Sequence, residues 1–199
     1  PSFFGARTVH ETSELVSHSM KLRKGSQDAT GLTFGLVASK FNKFVTSRLL
    51  TECVNALTKA GVSDEAIEVV RVPGAFEIPL VARQLARSGR FDAVICLGAV
   101  IRGDTPHFEY ISAEVSRGIL QASMESNVPV VFGVLTTDTV AQAIERADPA
   151  KLNRGADAAK TAIEMVNVMR LLKKERNEDV PPPAASSRRA GRSATRPKR

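Results

Sequence analysis

His107 closes the run Gly98-Ala99-Val100-Ile101-Arg102-Gly103-Asp104-Thr105-Pro106-His107, where a proton-transfer group would stand beside an anion-binding loop. Glycine lets backbone approach a guest closely, while loop amides and the Thr105 hydroxyl can donate to an anion such as phosphate. Imidazole is the side chain that titrates unperturbed near neutral pH, so His107 can both take and return a proton. A lone histidine is more often structural. Against that stands its place at the end of an apolar run, two residues after Thr105. The other two histidines, His10 and His18, lie in a polar leader and are given no role.

A second stretch, Val72-Pro73-Gly74-Ala75-Phe76-Glu77-Ile78-Pro79, offers a glycine turn, an aromatic face and a carboxylate able to accept from a polyol or an amine. Both stretches follow apolar segments, 91–97 and 67–71, of the kind expected for strands covered on both faces in a parallel sheet. In open α/β sheets ligands bind at the strands' carboxyl ends, where helix N-termini point their amides. Strands are read at 32–38, 67–71, 91–100 and 128–135, alternating with helices at 44–60, 76–86, 107–125, 139–147 and 155–174. Helical spacing of Val45, Leu49, Cys53, Val54 and Leu57 marks the first helix, and Gly61 stops it. The implied fold class is α/β: three layers, flavodoxin-like, a doubly wound parallel four-stranded sheet with helices on both faces.

Two further segments, Ser39-Lys40-Phe41-Asn42 after the first strand and Val131-Phe132-Gly133-Val134-Leu135-Thr136-Thr137-Asp138 with the fourth, complete a set of four motifs read at strand ends. With them the chain, from Gly31 to about Leu172, resembles the lumazine synthase family, the riboflavin synthase β-chain family. The resemblance implies condensation of a ribitylamino-pyrimidinedione with a dihydroxybutanone phosphate, the penultimate step of riboflavin synthesis. It implies that Phe41 and Phe132 flank the pyrimidine, that Ala75, Phe76 and Glu77 hold the ribityl chain and ring edge, and that Ala99, Val100 and Ile101 pack along it. Asp104 and Thr105 would line the phosphate site, chiefly through backbone amides and the Thr105 hydroxyl, with His107 as acid and base. Arg146, in Ile144-Glu145-Arg146-Ala147, would bind phosphate, and Asn153-Arg154-Gly155 matches the turn that follows it in the family. Taken alone, Arg146 is one of several helix arginines. The chemistry calls for proton shuttling and positioning, so no cofactor and no metal are expected.

Two positions depart from the family pattern. Asp104 stands where the family has alanine, serine or glycine, and it is read as a cap on the next helix, pointing away from the phosphate. The family's lysine four residues after the arginine is replaced by Ala150, with Lys151 next. Two other classes stay open: a flavodoxin-like binding or signalling module with Asp104 as phospho-acceptor, and a shell-forming protein without catalysis. Against the first, Ser39-Lys40-Phe41-Asn42 stands where a receiver would carry an acidic pair. The family forms homopentamers and often sixty-subunit shells, with each site shared between neighbours. The 147–155 link, free of insertion, points to the shell.

Hydrophobic residues make up 43% of the 199, enough for one domain with a sizeable core. The domain is read at 31–175, between a polar extension, 1–30, and a basic tail, 176–199. Pro1 reads as a processed start. Of the net charge of +7, six units come from Arg188, Arg189, Arg192, Arg196, Lys198 and Arg199, so the charge belongs to the tail. Rich in Pro, Ser and Ala, the tail is expected to be disordered, either a solubilising extension or an arm for RNA or anionic surfaces. No apolar run approaches the roughly 20 residues of a membrane span, and no charged-then-apolar leader is present. A cytoplasmic protein with no membrane contact is expected. Cys53 and Cys96 have no metal or redox spacing and are read as small buried hydrophobes.

Overall fold

The computed structural model describes residues 21–178, with side chains to residue 174. Four strands alternate with five helices: β1 (Phe34–Ser39), α1 (Lys43–Lys59), β2 (Ile67–Val72), α2 (Ile78–Arg87), β3 (Ala93–Ile101), α3 (His107–Ser126), β4 (Val130–Thr137), α4 (Val140–Ala147) and α5 (Arg154–Glu178). A single 3-10 turn, Asp64–Ala66, precedes β2 and has no counterpart in the sequence reading.

All strand pairs are parallel, in the order β2-β1-β3-β4. Alternation along the strands sorts side chains onto two faces. Phe34, Leu36, Ala38, Ile95 and Leu97 pack with Leu49, Cys53 and Leu57 of α1, Ala143 of α4, and Ala159 and Ile163 of α5. Val37, Val94 and Cys96 pack with Ile78, Ala82 and Leu85 of α2 and with Val115 and Ile119 of α3. The sheet is therefore covered on both sides, giving the three-layer, flavodoxin-like doubly wound architecture. Each large side chain this cover hides completely, such as Leu49 or Ile119, contributes about 1.5–3 kcal/mol. Helices α2 and α3 approach closely because Gly118 has no side chain: a Cβ there would sit 2.7 Å from the Pro79 Cβ. Both cysteines are free and buried, as read from the sequence.

The chain leaves β1 for one face of the sheet and β3 for the other. Their carboxyl ends diverge, and the gap between them is the topological switch point where such sheets bind ligands. The outer strand β2 departs from the expectation of cover on both faces: most of it is half-buried, and Val69 is exposed. Residues 26–28 lie against α5, where the Asn167 amide donates to the Ser26 and Asp28 carbonyls. No helix among the described residues is long and apolar enough to cross a membrane. The basic residues after Val180 lie outside the described residues.

Candidate active site

The cleft at the switch point is built by backbone continuing past the strand ends. Lys40 N–H donates to the Val72 carbonyl at 2.8 Å and Phe41 N–H to Pro73 at 3.0 Å, so the loop after β1 stays beside the loop after β2. Asn42 then takes a left-handed conformation, φ 54°, and its side-chain amide donates to the Ala99 carbonyl at 2.9 Å. That bond ties the ends of β1 and β3 together and leaves the Phe41 ring 70% exposed at the cleft mouth. Opposite, Ala75, Phe76 and Glu77 form a turn ahead of α2, which starts at Ile78 and not at Phe76. The Glu77 carboxylate accepts from Gly74 N–H at 2.8 Å, which fixes the acid at the rim.

Phe41, Ala75, Phe76, Glu77, Ala99, Val100, Ile101, Thr105 and His107 line this one cleft of about 710 Å³. His107 is the first residue of α3, as read from the sequence. Asp104 is exposed in the preceding loop and is not part of the lining. The expected cap is not formed: α3 has Pro106 at its N-cap and no side-chain cap, which places Asp104 two residues too early. The loop's anchor is Arg102, held by Asp138 and Glu109 with its guanidinium over the Phe108 ring. Asp138 and then Glu109 push the guanidinium pKa up, and Arg102 holds the Glu109 carboxyl below its ordinary range.

Phe132 and Arg146 lie elsewhere, in a groove of about 580 Å³ running along β4, and the two linings have no residue in common. Phe132 is the third residue of β4, within the strand and not at its carboxyl end, and is 45% exposed. Arg146 is held on α4 by donating to the Gln142 carbonyl at 3.3 Å, while Thr139 caps that helix by accepting from Gln142 N–H. Arg154, paired with Asp157 at 3.0 Å, faces the same groove beside Thr161.

The 153–155 turn has a local cause. Asn153 is left-handed at φ 43°, its side-chain oxygen accepts from Ala156 N–H, and its amide donates to Glu52. A Cβ on Gly155 would lie 2.4 Å from the Leu49 carbonyl oxygen, so only glycine lets α5 start this close to α1. Lys151 lines neither groove. Sequence reasoning did not single out Asn42, Phe108, Ile111, Arg154 or Asp157 as lining residues. For Asn42 and Arg154 the signal was present, since each stands inside a motif already quoted. Among the described residues no group of His, Cys, Asp and Glu could hold a metal ion.

Residues 31–170 match the family model for 6,7-dimethyl-8-ribityllumazine synthase. A 6,7-dimethyl-8-ribityllumazine synthase of Syntrophus aciditrophicus (strain SB) is 60% identical over 147 residues, spanning 74% of this chain and 96% of the relative. The signalling alternative is not favoured by these matches. A match of this extent, on a fold whose switch-point cleft gathers the aromatic, acidic and imidazole residues just described, makes the chain a member of the 6,7-dimethyl-8-ribityllumazine synthase family.

Proposed function

We propose that this chain is a transferase of riboflavin biosynthesis. It condenses 5-amino-6-(D-ribitylamino)uracil with 3,4-dihydroxy-2-butanone 4-phosphate to give 6,7-dimethyl-8-ribityllumazine, phosphate and water. The observation that carries the reading is the gathering of Phe41, Ala75, Phe76, Glu77, Ala99–Ile101, Thr105 and His107 in one cleft, in a member of this family. Phe41 offers a stacking face to the pyrimidine, and Ala99, Val100 and Ile101 pack along it. Glu77, anchored through one oxygen, keeps acceptor capacity for the ribityl hydroxyls or the ring edge. The amine attacks the ketone and loses water to give an imine, phosphate is eliminated, and the second ring closes with loss of a second water. His107 moves the protons, a contribution of about 10²- to 10⁴-fold, while holding two substrates together removes several kcal/mol more.

Phosphate is held by the Thr105 hydroxyl, by the loop amides at Asp104 and Thr105, and by Arg146, whose guanidinium suits phosphate through paired, charge-assisted bonds. Because Arg146 and Phe132 face a different groove from His107, the site is completed by a second copy: one chain supplies the switch-point cleft and its neighbour the β4 groove. A head-to-tail ring presents two different surfaces at each contact and makes that pairing possible. The assembly we propose is a homopentamer, built further into a sixty-subunit shell because the link between α4 and α5, residues 148–153, carries no insertion. The protein works in the cytoplasm without membrane contact, and the basic residues after Val180 serve as a solubilising extension, salt-sensitive binding of RNA by the full chain being the result that would make them an arm for polyanions instead.

The test is direct. Purified full-length protein mixed with both substrates should generate the lumazine absorbance, and no product under those conditions would end this reading. Light scattering giving a pentamer-sized particle at working concentration would end the shell.

A further inference from the structure

Arg102 follows β3 directly and ties both ends of the His107 loop to the end of β4. Its backbone N–H donates to the Thr137 carbonyl at 2.9 Å, one rung beyond the β3–β4 pairing. Its side chain then turns to two carboxylates on different elements. Nε donates to Asp138, just past β4, at 2.7 Å, and Nη1 donates to Glu109 in the first turn of α3. The guanidinium carbon lies 4.2 Å from the centre of the Phe108 ring, beside His107 in sequence. The loop 103–106 therefore leaves from Arg102 and re-enters the fold under Arg102's own side chain. Helix α3 has no side-chain cap to fix that re-entry in another way.

All three partners are well exposed, and exposed ion pairs contribute little to stability, so the arrangement's main effect is on geometry and local charge. A planar guanidinium with several donors can engage two carboxylates at fixed angles, which an ammonium cannot. Its single positive charge also offsets one of the two negative charges of Glu109 and Asp138, beside a loop that already carries Asp104. Without Arg102, three carboxylates would surround a loop meant to receive an anion.

We propose that Arg102 is a positioning residue: through Glu109 and Asp138 it sets the path of loop 103–106 and the first turn of α3, and so places Thr105 and His107 against the phosphate-bearing substrate. This rests on the reading of the cleft given above and adds to it a residue that touches neither substrate.

Full-length Arg102→Gln and Arg102→Lys proteins test it by steady-state kinetics with each substrate varied, and with inorganic phosphate as competing ligand. In Arg102→Gln, kcat should fall by roughly 10- to 100-fold, the scale of an ångström-sized misplacement. The KM for the phosphate-bearing substrate and the inhibition constant for phosphate should rise several-fold, with the KM for the pyrimidine within about twofold. Arg102→Lys should recover part of both losses, since it restores the charge and one of the two contacts. Glu109→Gln, with the Asp138 pair intact, should reproduce the kcat loss in milder form and gives the same reading if Arg102→Gln fails to assemble. Unchanged kcat, or KM values rising together for both substrates, would overturn the proposal. Wild-type protein that made no lumazine would instead overturn the cleft reading beneath it.

Discussion

The Asn42 side-chain amide meets the Ala99 carbonyl at 2.9 Å, and it does so from a left-handed backbone, so one residue both turns the chain into α1 and pins β1 to β3. The two roles separate by substitution. Asn42→Gly keeps the turn and loses the bond, about 0.5–1.5 kcal/mol. Asn42→Ala loses the bond and adds a left-handed alanine, about 1–2 kcal/mol more. Thermal melting should therefore rank wild type above Gly and Gly above Ala, and both variants should raise the KM for the pyrimidine by releasing Phe41. Equal melting points for Gly and Ala would remove backbone strain from the account.

His107 and Arg146 should separate by kinetic signature. His107→Ala should lower kcat roughly 10- to 1000-fold with little change in substrate affinity, because a proton transfer is lost. Arg146→Ala should weaken the phosphate-bearing substrate by about 1.5–3 kcal/mol, the worth of a hydrogen bond to a charged group. Co-assembled in equal amounts, the two impaired chains should regain roughly a quarter of wild-type sites in a head-to-tail ring. Mixed particles, verified by mass spectrometry, with no more activity than either parent would place the whole site within one chain.

Gly155→Ala tests the contact between α5 and α1. A Cβ 2.4 Å from the Leu49 carbonyl oxygen cannot be absorbed by a flexible side chain, so α5 must shift. The expected cost is about 1–3 kcal/mol, read as a melting point lower by several degrees. Since Arg154 and Asp157 begin the same helix and face the groove that holds Arg146, the KM for the phosphate-bearing substrate should rise with it. An unchanged melting point would mean that the helix start is slack.

Burial pushes the Cys53 thiol up to about 12 and raises the Cys96 thiol as well. Neither should react with a disulfide reagent at pH 8 until the protein is unfolded. Because the folded pKa is the higher one, this contribution to stability is complete below the unfolded value of about 9 and is lost as pH rises above it toward 12. Labelling of the native protein at pH 8 would show that the sheet opens from its cover, from α1 if at Cys53 and from α2 and α3 if at Cys96.

The alternation of apolar runs with 3.6-period segments was enough to read all four strands and five helices, because the two faces of the inner strands, β1 and β3, are covered by different helices of the same chain. Phe132 and Val69 show where that logic stops. Both lie on outer strands and both are exposed; Phe132 stands in a run, Val130 to Leu135, as apolar as β3, whereas Val69 has Glu68 and Arg71 close by. An apolar run reads the same whether its cover comes from this chain or from another. Asp104 failed for a different reason: an acid before Thr-Pro reads as a helix start, but Pro106 takes the capping position itself and strands the carboxylate in the loop. Arg102 gave no signal, since its partners stand 7 and 36 residues away and only the fold brings them together.

The separation of His107 from Arg146 into clefts with no lining residue in common has a consequence for the cell. If, as proposed, each cleft is completed by a neighbour's groove, a newly made chain is folded but holds no complete site, and turnover begins only as copies meet. On the same reading, dilution that separates the copies lowers activity without unfolding the chain, and one defective copy in a ring impairs a neighbour's cleft as well as its own.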